Sequence, residues 1–235
     1  MHKNSKLNIV EQHLGLEPYF LKSNTKTIKK ISSVIKSSID YKYLLKGIKK
    51  KKIKPLVNRI ITSSDFSDIK LGIALDNAFG FYYADDIEKI QSLGVKIHYF
   101  NTMKHKKLPK VDALLIGGGF PELFSSKLSF NKNMMASVKD FVESNKPVYA
   151  ECGGLMYLAK SIKFKNKTVK MVGAIDGKVI MHSNPVGRGH VELTQHSKHP
   201  WPMRNVIIRA HEFHYSNICL LYTSDAADDT PCVDL

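Results

Sequence analysis

The sequence predicts an α/β domain with a mostly parallel sheet and helices on both faces. Short apolar segments of strand type alternate with amphipathic segments of helical period between residues 70 and 162, and this alternation is typical of parallel sheets. Polar or glycine residues follow three apolar segments, at Asp76, at Gly117–Gly119 and at Cys152. Because α/β sheets bind ligands beyond the carboxyl ends of their strands, these positions are the first candidates for a functional site.

The predicted elements follow one another along the chain. A first strand, KLGIALD, ends at Asp76, and the next segment, ADDIEKIQSLG, reads as a helix with Ile87, Ile90 and Leu93 on one face and Gly94 as its stop signal. The strands VKIHYF and VDALLIGGG, the helix MMASVKDFVESN, the strand PVYAEC and the helix GGLMYLAKSI come next. After residue 170 the pattern predicts short antiparallel strands, and NVIIRAHEFHYS reads as one more strand.

Residues 1 to 67 carry a separate and weaker pattern. A helix-like stretch has apolar residues at Ile28, Ile31, Val34 and Ile35, and the basic run GIKKKKIKP follows at residues 47–55. The segment is too short and too polar to predict an independent core. The basic run is typical of a solvated linker.

Composition excludes several classes of protein. No apolar run approaches the roughly 20 residues that a membrane span needs, and the N-terminus has no apolar core of the signal-peptide kind. We therefore expect a cytoplasmic protein without membrane contact. The net charge of +15 raises the question of nucleic-acid binding, but Lys greatly outnumbers Arg throughout and no nucleic-acid-binding motif accompanies the charge, which disfavours that class.

The last seventeen residues, Cys219 to Leu235, differ abruptly from the rest of the chain. The segment CLLYTSDAADDTPCVDL has no Lys or Arg and carries four Asp. It resembles a transposase sequencing adapter translated in one frame, so we interpret it as an artefact and leave it out of the fold prediction. The predicted divisions are therefore 1–67, 68–218 and 219–235, and Cys152 is the one cysteine outside the excluded tail.

Cys152 lies where a predicted strand turns directly into a predicted helix. Such a turn exposes a nucleophile at the top of a sheet, Gly153 and Gly154 give it room, and the helix N-terminus is expected to lower the pKa of the thiol. The alternative is a small buried residue at a tight turn, since free cysteines are usually buried. The local sequence leaves both interpretations open.

Two further segments supply groups that a nucleophilic cysteine needs. The turn IGGGFPE, with Gly118 and Gly119, offers backbone N–H groups for an oxyanion or a carboxylate. The segment AHEFHYS carries His211 and His214, either of which is a candidate base. His211, Glu212 and His214 could also suggest a metal site, but such a site would need at least one further ligand at suitable spacing, which the sequence does not offer, so no metal is predicted. No role is assigned to His190, His196 or His199.

Six segments together resemble the glutamine amidotransferase domain of the cobyrinate a,c-diamide synthase family. They are HLGLEP, ALDNAFGFYYADD, VDALLIGGGFPELF, YAECGGLMYL, VGRGHVEL and AHEFHYS, in the family's order and over nearly all of residues 10 to 217. The resemblance implies a flavodoxin-like fold of the class I glutamine amidotransferase type. Two small departures are Asp86, where Asn is usual, and Ala210, where Gly is common.

The resemblance also implies roles for site residues. Cys152 would attack the amide of glutamine, and His214 would activate the thiol and protonate the leaving group. The N–H groups of Gly118, Gly119 and Gly153 would form the oxyanion hole and bind glutamine.

An orienting acid for the histidine is not evident from the resemblance. Many class I enzymes place an acid two residues after the histidine, where this chain has Ser216. Asp76 is the candidate in its place, with packing of a turn as the alternative role. Whether His211 takes part stays open, and the role of Glu151 is limited to orientation or helix capping.

Partners and cofactors follow from the resemblance as well. In the family, ammonia passes to an ATP- and Mg²⁺-dependent synthetase domain that begins with a phosphate loop, a motif this sequence lacks. HLGLEP resembles the end of that domain, so we expect a fragment, incomplete at both ends, that binds neither cofactor and is inactive as a synthetase alone. The expected acceptor is a corrinoid. The alternatives are sirohydrochlorin, Ni-sirohydrochlorin or another carboxylate, or a non-catalytic basic binding module, and a homodimer stays open.

Overall fold

The structure is a computed structural model that describes residues 23–47, 66–194, 207–220 and the backbone of 232–234. The segment HLGLEP, most of the basic run, His196, His199 and the greater part of the excluded tail lie outside the described residues. The chain divides into two compact units, Met1–Ser63 and Ser64–Leu235.

The first unit contains two described helices, α1 (Ser23–Ser38) and α2 (Tyr41–Gly47). The predicted helix is confirmed as α1, in which Ile31, Val34 and Ile35 are half-buried. Asp40 caps α2, since its carboxylate accepts a hydrogen bond from the Tyr43 backbone N–H at 3.1 Å. Within the described residues no helix is both long and apolar enough to cross a membrane.

The second unit is built on a four-stranded parallel sheet, which confirms the predicted α/β class. Its strands lie in the order β3-β1-β4-β6, and every neighbouring pair is parallel. The connecting elements are a short antiparallel strand pair, a 3-10 turn and three helices, and a fourth helix follows the last strand. The elements are β1 (Lys70–Ala74), β2 (Phe79–Phe81), α3 (Ala84–Ser92), β3 (Lys96–Phe100), β4 (Ala113–Ile116), β5 (Gly118–Gly119), the 3-10 turn (Pro121–Phe124), α4 (Ser125–Phe130), α5 (Lys132–Glu143), β6 (Val148–Ala150) and α6 (Gly153–Leu158).

The core lies between the parallel sheet and the helices that follow it. Leu114 and Ile116 of β4 are buried, and they share one apolar cluster with Met134, Val138 and Phe141, the buried residues of α5. The spacing of those α5 residues is the helical period read from the sequence. Helix α3 has no fully buried residue, and its half-buried positions include Ile87 and Ile90 of the predicted apolar face.

A second sheet follows the site-bearing turn and corrects one prediction. The predicted helix GGLMYLAKSI ends at Leu158, and Ala159–Phe164 is strand β7. Ala159 is already extended, with φ −64° and ψ 169°, because β7 pairs with strands on both sides, antiparallel with one and parallel with the other. Pairing with residues further along the chain overrides the local helical spacing.

The remaining strands complete that second sheet and a separate hairpin. The second sheet has the order β13-β12-β9-β7-β8, and the hairpin pairs β10 with β11 in antiparallel register. The predicted short strands after residue 170 are confirmed, although β9 runs parallel to β7. The elements are β8 (Lys167–Lys170), β9 (Ile175–Met181), β10 (Gly187–Leu193), β11 (Ile208–His214), β12 (Ser216–Leu220) and β13 (Cys232–Asp234).

The excluded tail contributes backbone to this sheet. Strand β13 pairs with β12 in a register that sets residue 219 opposite residue 232, and Cys219 is disulfide-bonded. The adapter interpretation concerns the origin of these residues and stays a prediction.

Candidate active site

Cys152 lies at the turn between β6 and α6, where the sequence predicted it. Its backbone has φ 47° and ψ −108°, a conformation that residues other than glycine rarely adopt. The turn is held on both sides, because the Gly154 N–H donates to the Glu151 carbonyl at 2.8 Å and the Met156 N–H donates to the Cys152 carbonyl at 3.1 Å. A strained backbone that holds its side chain at a strand-to-helix turn is typical of a nucleophile elbow.

The glycine turn after β4 packs against the Cys152 turn. A Cβ atom placed on Gly153 would lie 3.0 Å from the Gly119 nitrogen, and a Cβ on Gly154 would lie 2.0 Å from the Ile116 carbonyl oxygen. A Cβ on Gly118 would lie 3.9 Å from the Cys152 Cβ. The structure therefore brings together the three glycines and the cysteine that the sequence singled out.

The pKa of Cys152 corrects one expectation. Partial burial of the Cys152 side chain raises the pKa of the thiol, and the negative charges of Glu122 and Glu151 raise it further. The Gly153 backbone N–H lowers it by hydrogen bonding, as expected of a helix N-terminus, but burial outweighs this effect. The predicted lowering of the pKa is therefore wrong, and burial favours the protonated form of the thiol.

Glu122 is a buried acid beside the thiol that the sequence analysis did not single out. It lies in the 3-10 turn directly after the glycines, and 3% of its side chain is exposed. Burial raises the pKa of this carboxyl from 4.5 to about 8, so the group is mostly neutral near neutral pH. The one sequence signal was its place inside an otherwise apolar segment, GGGFPELF.

His214 lies at the end of β11 with 5% of its side chain exposed. Its Nδ1 is 2.8 Å from the Ser216 carbonyl oxygen, which can only accept a hydrogen bond. This contact places the proton of the neutral ring on Nδ1 and leaves the lone pair on Nε2. Nε2 is buried with no hydrogen-bond partner among the described residues and lies 3.7 Å from Glu212 Oε2.

The opposite hairpin strand fits closely against the imidazole. Gly187 of β10 is paired with His214 in the hairpin register, and a Cβ atom on Gly187 would lie 2.1 Å from His214 Nε2. A larger residue at position 187 would therefore displace the ring.

Ser216 connects the histidine to the helix that follows the cysteine. The Ser216 hydroxyl donates to Met156 Sδ at 3.8 Å, and Met156 lies one turn of α6 after Cys152. The start of β12, two residues after the end of β11, therefore packs beside α6. Within the described residues, the His214 Nε2 and the Cys152 thiol do not form a hydrogen bond, and such contacts are often long before substrate binds.

Asp76 has a different set of contacts from those expected of an orienting acid. One carboxylate oxygen accepts hydrogen bonds from the Ala78 and Phe79 N–H groups at 2.8 and 3.2 Å. The other accepts from the Thr102 N–H and hydroxyl, both at 2.6 Å. A carboxylate offers about four acceptor positions, and these four hydrogen bonds occupy them. The contacts therefore fit the alternative role of Asp76, the packing of a turn. The orienting role stays a prediction.

His211 points away from His214. Residues three apart on a strand lie on opposite faces, and the exposed His211 ring contacts His190 across the hairpin, with 5.5 Å between ring centroids. Among the described residues, no group of three or more His, Cys, Asp or Glu side chains could hold a metal ion.

The chain is similar to known proteins over most of its length. The model of the CobB/CobQ-like glutamine amidotransferase domain matches residues 70–234. A protein named cobyrinate a,c-diamide synthase from Picrophilus torridus is 35% identical over 216 residues, covering 92% of this chain and 49% of the relative. A protein of the same name from Caldanaerobacter subterraneus subsp. tengcongensis is 35% identical over 229 residues, covering 92% and 48%.

A solved glutamine amidotransferase structure matches 66% of this chain and 75% of its own, with 17% identity and a TM-score of 0.43. The chain spans about half the length of the curated relatives it matches. The family model covers most of the chain and includes Cys152, the glycine turn and His214. The chain therefore belongs to the CobB/CobQ-like glutamine amidotransferase domain family.

Proposed function

We propose that this chain hydrolyses glutamine through Cys152 and supplies the ammonia for an amide-forming reaction. The observation that carries the proposal is the strained turn at Cys152, with φ 47°, packed against the glycine turn. A backbone so strained has to be held in place by its surroundings, and such strain concentrates at functional sites. The family match supports the same chemistry.

The first half of the reaction makes a thioester. The Cys152 sulfur bonds to the amide carbon of glutamine, the thiol proton moves to His214 Nε2, and the carbonyl electron pair moves onto oxygen. N–H groups of Gly118, Gly119 and Gly153 would stabilise that oxyanion. The carbon–nitrogen bond then breaks, His214 returns the proton to the leaving nitrogen, and ammonia departs. Water next attacks the thioester, releasing glutamate and restoring the thiol.

The Ser216 carbonyl takes the place of the missing orienting acid. By accepting the Nδ1 proton at 2.8 Å, it keeps the Nε2 lone pair available for the thiol, which is the tautomer that a general base needs. Glu212, with Oε2 at 3.7 Å from Nε2, would favour the charged imidazolium once the proton has moved.

The ATP-dependent amidation of the acceptor would take place outside the residues of this chain. The relatives are named cobyrinate a,c-diamide synthase and are about twice as long, so we assign ATP, Mg²⁺ and a corrinoid acceptor to a synthetase region that this sequence does not contain. The whole enzyme would be a cytoplasmic glutamine-dependent amide ligase of cobalamin biosynthesis. We expect no diamide from this chain alone.

The experiment uses a diazoketone analogue of glutamine, diazo-oxo-norleucine, on the full chain. The sulfur bonds to the diazo carbon, that carbon takes the thiol proton, and dinitrogen leaves, so mass spectrometry finds one adduct at Cys152. We expect the adduct in the wild type and in His211→Ala, slow labelling in His214→Ala, and none in Cys152→Ala. Absence of the adduct in wild type, or equal labelling of His214→Ala and the matched control His211→Ala, would contradict the proposed glutaminase.

A further inference from the structure

Tyr82 connects the glycine turn to β1, one of the two central strands of the parallel sheet. Its hydroxyl donates to the Ala74 carbonyl oxygen at 2.5 Å and accepts from the Gly117 N–H at 3.0 Å. One phenolic oxygen therefore joins the last residue of β1 to the first residue after β4.

This bridge lies where the two central strands separate. Strands β1 and β4 run side by side up to the pair Ile73 and Leu115. Beyond that point the chain turns into Gly118–Gly119, which pairs antiparallel with β2. The Tyr82 hydroxyl serves the backbone groups at this divergence, which would otherwise lose their ladder partners. It thereby sets where the glycine turn leaves the sheet.

The ring of Tyr82 also limits the position of the turn. A Cβ atom on Gly117 would lie 2.6 Å from Tyr82 Cε1 and 3.1 Å from the Phe81 carbonyl oxygen. The backbone at Gly117 therefore lies directly on the aromatic ring, and no larger residue fits without moving one of them.

The protonation of Tyr82 is constant over the useful pH range. Burial raises the pKa of the phenol to about 12, against the smaller lowering by its bond with Gly117. The hydroxyl can therefore donate and accept together in any ordinary assay buffer.

We propose that Tyr82 is a positioning residue that fixes the Gly117–Gly119 turn so that its N–H groups face the carbonyl oxygen of glutamine bound at Cys152. The proposal rests on the proposed glutaminase function. Tyr82 reaches the reacting atoms only through the backbone, and its removal would misplace the oxyanion donors while leaving the thiol itself in place.

The test compares two reagents on one residue in the full chain. Diazo-oxo-norleucine carries a ketone at the position of the glutamine carbonyl, so the N–H groups of the glycine turn would bind and orient it, whereas iodoacetamide reports the reactivity of the thiol alone. For Tyr82→Phe we expect labelling of Cys152 by the diazoketone to slow by about tenfold or more, since a small misplacement of a bound reactant can cost about a hundredfold in rate. Alkylation by iodoacetamide should change less than about twofold.

Tyr83→Phe is the matched control, because Tyr83 is the next residue and is 77% exposed. It should leave both rates unchanged. Gly117→Ala is the second variant: it keeps the hydroxyl but forces the ring and the turn apart, so it should also slow the diazoketone selectively. With this second variant the test does not depend on the folding of Tyr82→Phe.

The outcomes distinguish a failure of the positioning role of Tyr82 from a failure of the proposed glutaminase function. Wild-type chain that is not labelled by the diazoketone at Cys152 would overturn the proposed function. Labelled wild type with equal diazoketone rates in Tyr82→Phe would overturn the positioning role alone. Equal slowing of both reagents in both variants would mean that Tyr82 serves only the stability of the fold, and would also refute the inference.

Discussion

Glu122 should make the stability of this fold depend on pH in the direction opposite to that of most carboxylates. Burial raises the pKa of its carboxyl from 4.5 to about 8, and its side chain is 3% exposed. A carboxyl whose folded pKa exceeds its unfolded pKa holds its proton more tightly in the folded state. Its contribution to stability is therefore full below the unfolded pKa and is lost as pH rises toward about 8.

The magnitude follows from the two pKa values. One pKa unit between folded and unfolded states corresponds to about 1.4 kcal/mol, so the interval from 4.5 to about 8 amounts to a loss of about 5 kcal/mol at high pH. About 3 kcal/mol of this falls between about pH 5.5 and about pH 8. Because whole domains are stable by roughly 5–15 kcal/mol, the loss is a large share of the total.

The perturbation is Glu122→Gln, which keeps the size of the side chain and cannot ionise. Urea unfolding followed by circular dichroism, at several pH values in that range, gives the free energy of unfolding of each variant. We expect the advantage of Glu122→Gln over the wild type to grow by about 3 kcal/mol from about pH 5.5 to about pH 8.

Glu88→Gln is the matched control, since Glu88 is an exposed carboxyl on α3. Its unfolding free energy should follow that of the wild type across the range. If the curves of wild type and Glu122→Gln run parallel instead, the carboxyl is not desolvated in the folded state and the reasoning from burial is wrong.

Three further substitutions test other parts of the site. Glu151→Gln removes a charge that raises the pKa of Cys152, so alkylation of the thiol by iodoacetamide at about pH 7 should accelerate by about two- to threefold, and a slower reaction would contradict this. Gly187→Ala places a methyl group 2.1 Å from the His214 Nε2 position. It should lower the rate of glutamine hydrolysis, measured as glutamate release, by about a hundredfold or more. An unchanged rate would mean that the ring can shift without loss of activity. Asp76→Asn replaces an acceptor that holds two turns and should lower the free energy of unfolding in urea by about 2–4 kcal/mol. Lost activity at unchanged stability would contradict this and would support the predicted role of Asp76 as the orienting acid.

The parallel sheet could be predicted because its signals are local. The strands β1, β3, β4 and β6 are short apolar runs next to helices of clear period, and each run indicates its own structure. Strand β7 could not be predicted in this way. Its residues AKSIKF continue the spacing of the preceding helix, and their extended form depends on pairing with β8 and β9, which come later in the chain.

The same distinction applies to the site. Cys152 and the glycine turn could be predicted from their residue types at the ends of predicted strands, and His214 was identified through a resemblance. Tyr82, however, acts on a backbone group 35 residues away, and Ser216 reaches a methionine 60 residues away. Neither contact leaves a periodic signal, because a hydrogen bond between distant segments is specified only when the whole chain has folded.

The acid–base balance of the site explains why a buried histidine with a fixed tautomer matters here. Helix α6 has only six residues, and the one N–H bond from Gly153 does not offset the burial that raises the pKa of Cys152. A preformed thiolate is therefore disfavoured, so in the proposed reaction the thiol would need a base at the moment of attack. His214 would meet that need in the proposed reaction, because the Ser216 carbonyl holds the ring proton on Nδ1. Glu122 affects the thiol according to its own protonation state. Below about pH 8 its carboxyl is mostly neutral and carries no charge that opposes the thiolate. Once the carboxyl ionises, its negative charge raises the pKa of the thiol further. In the proposed reaction, Cys152 would therefore keep its proton until the base and the oxyanion donors act on the bound glutamine together.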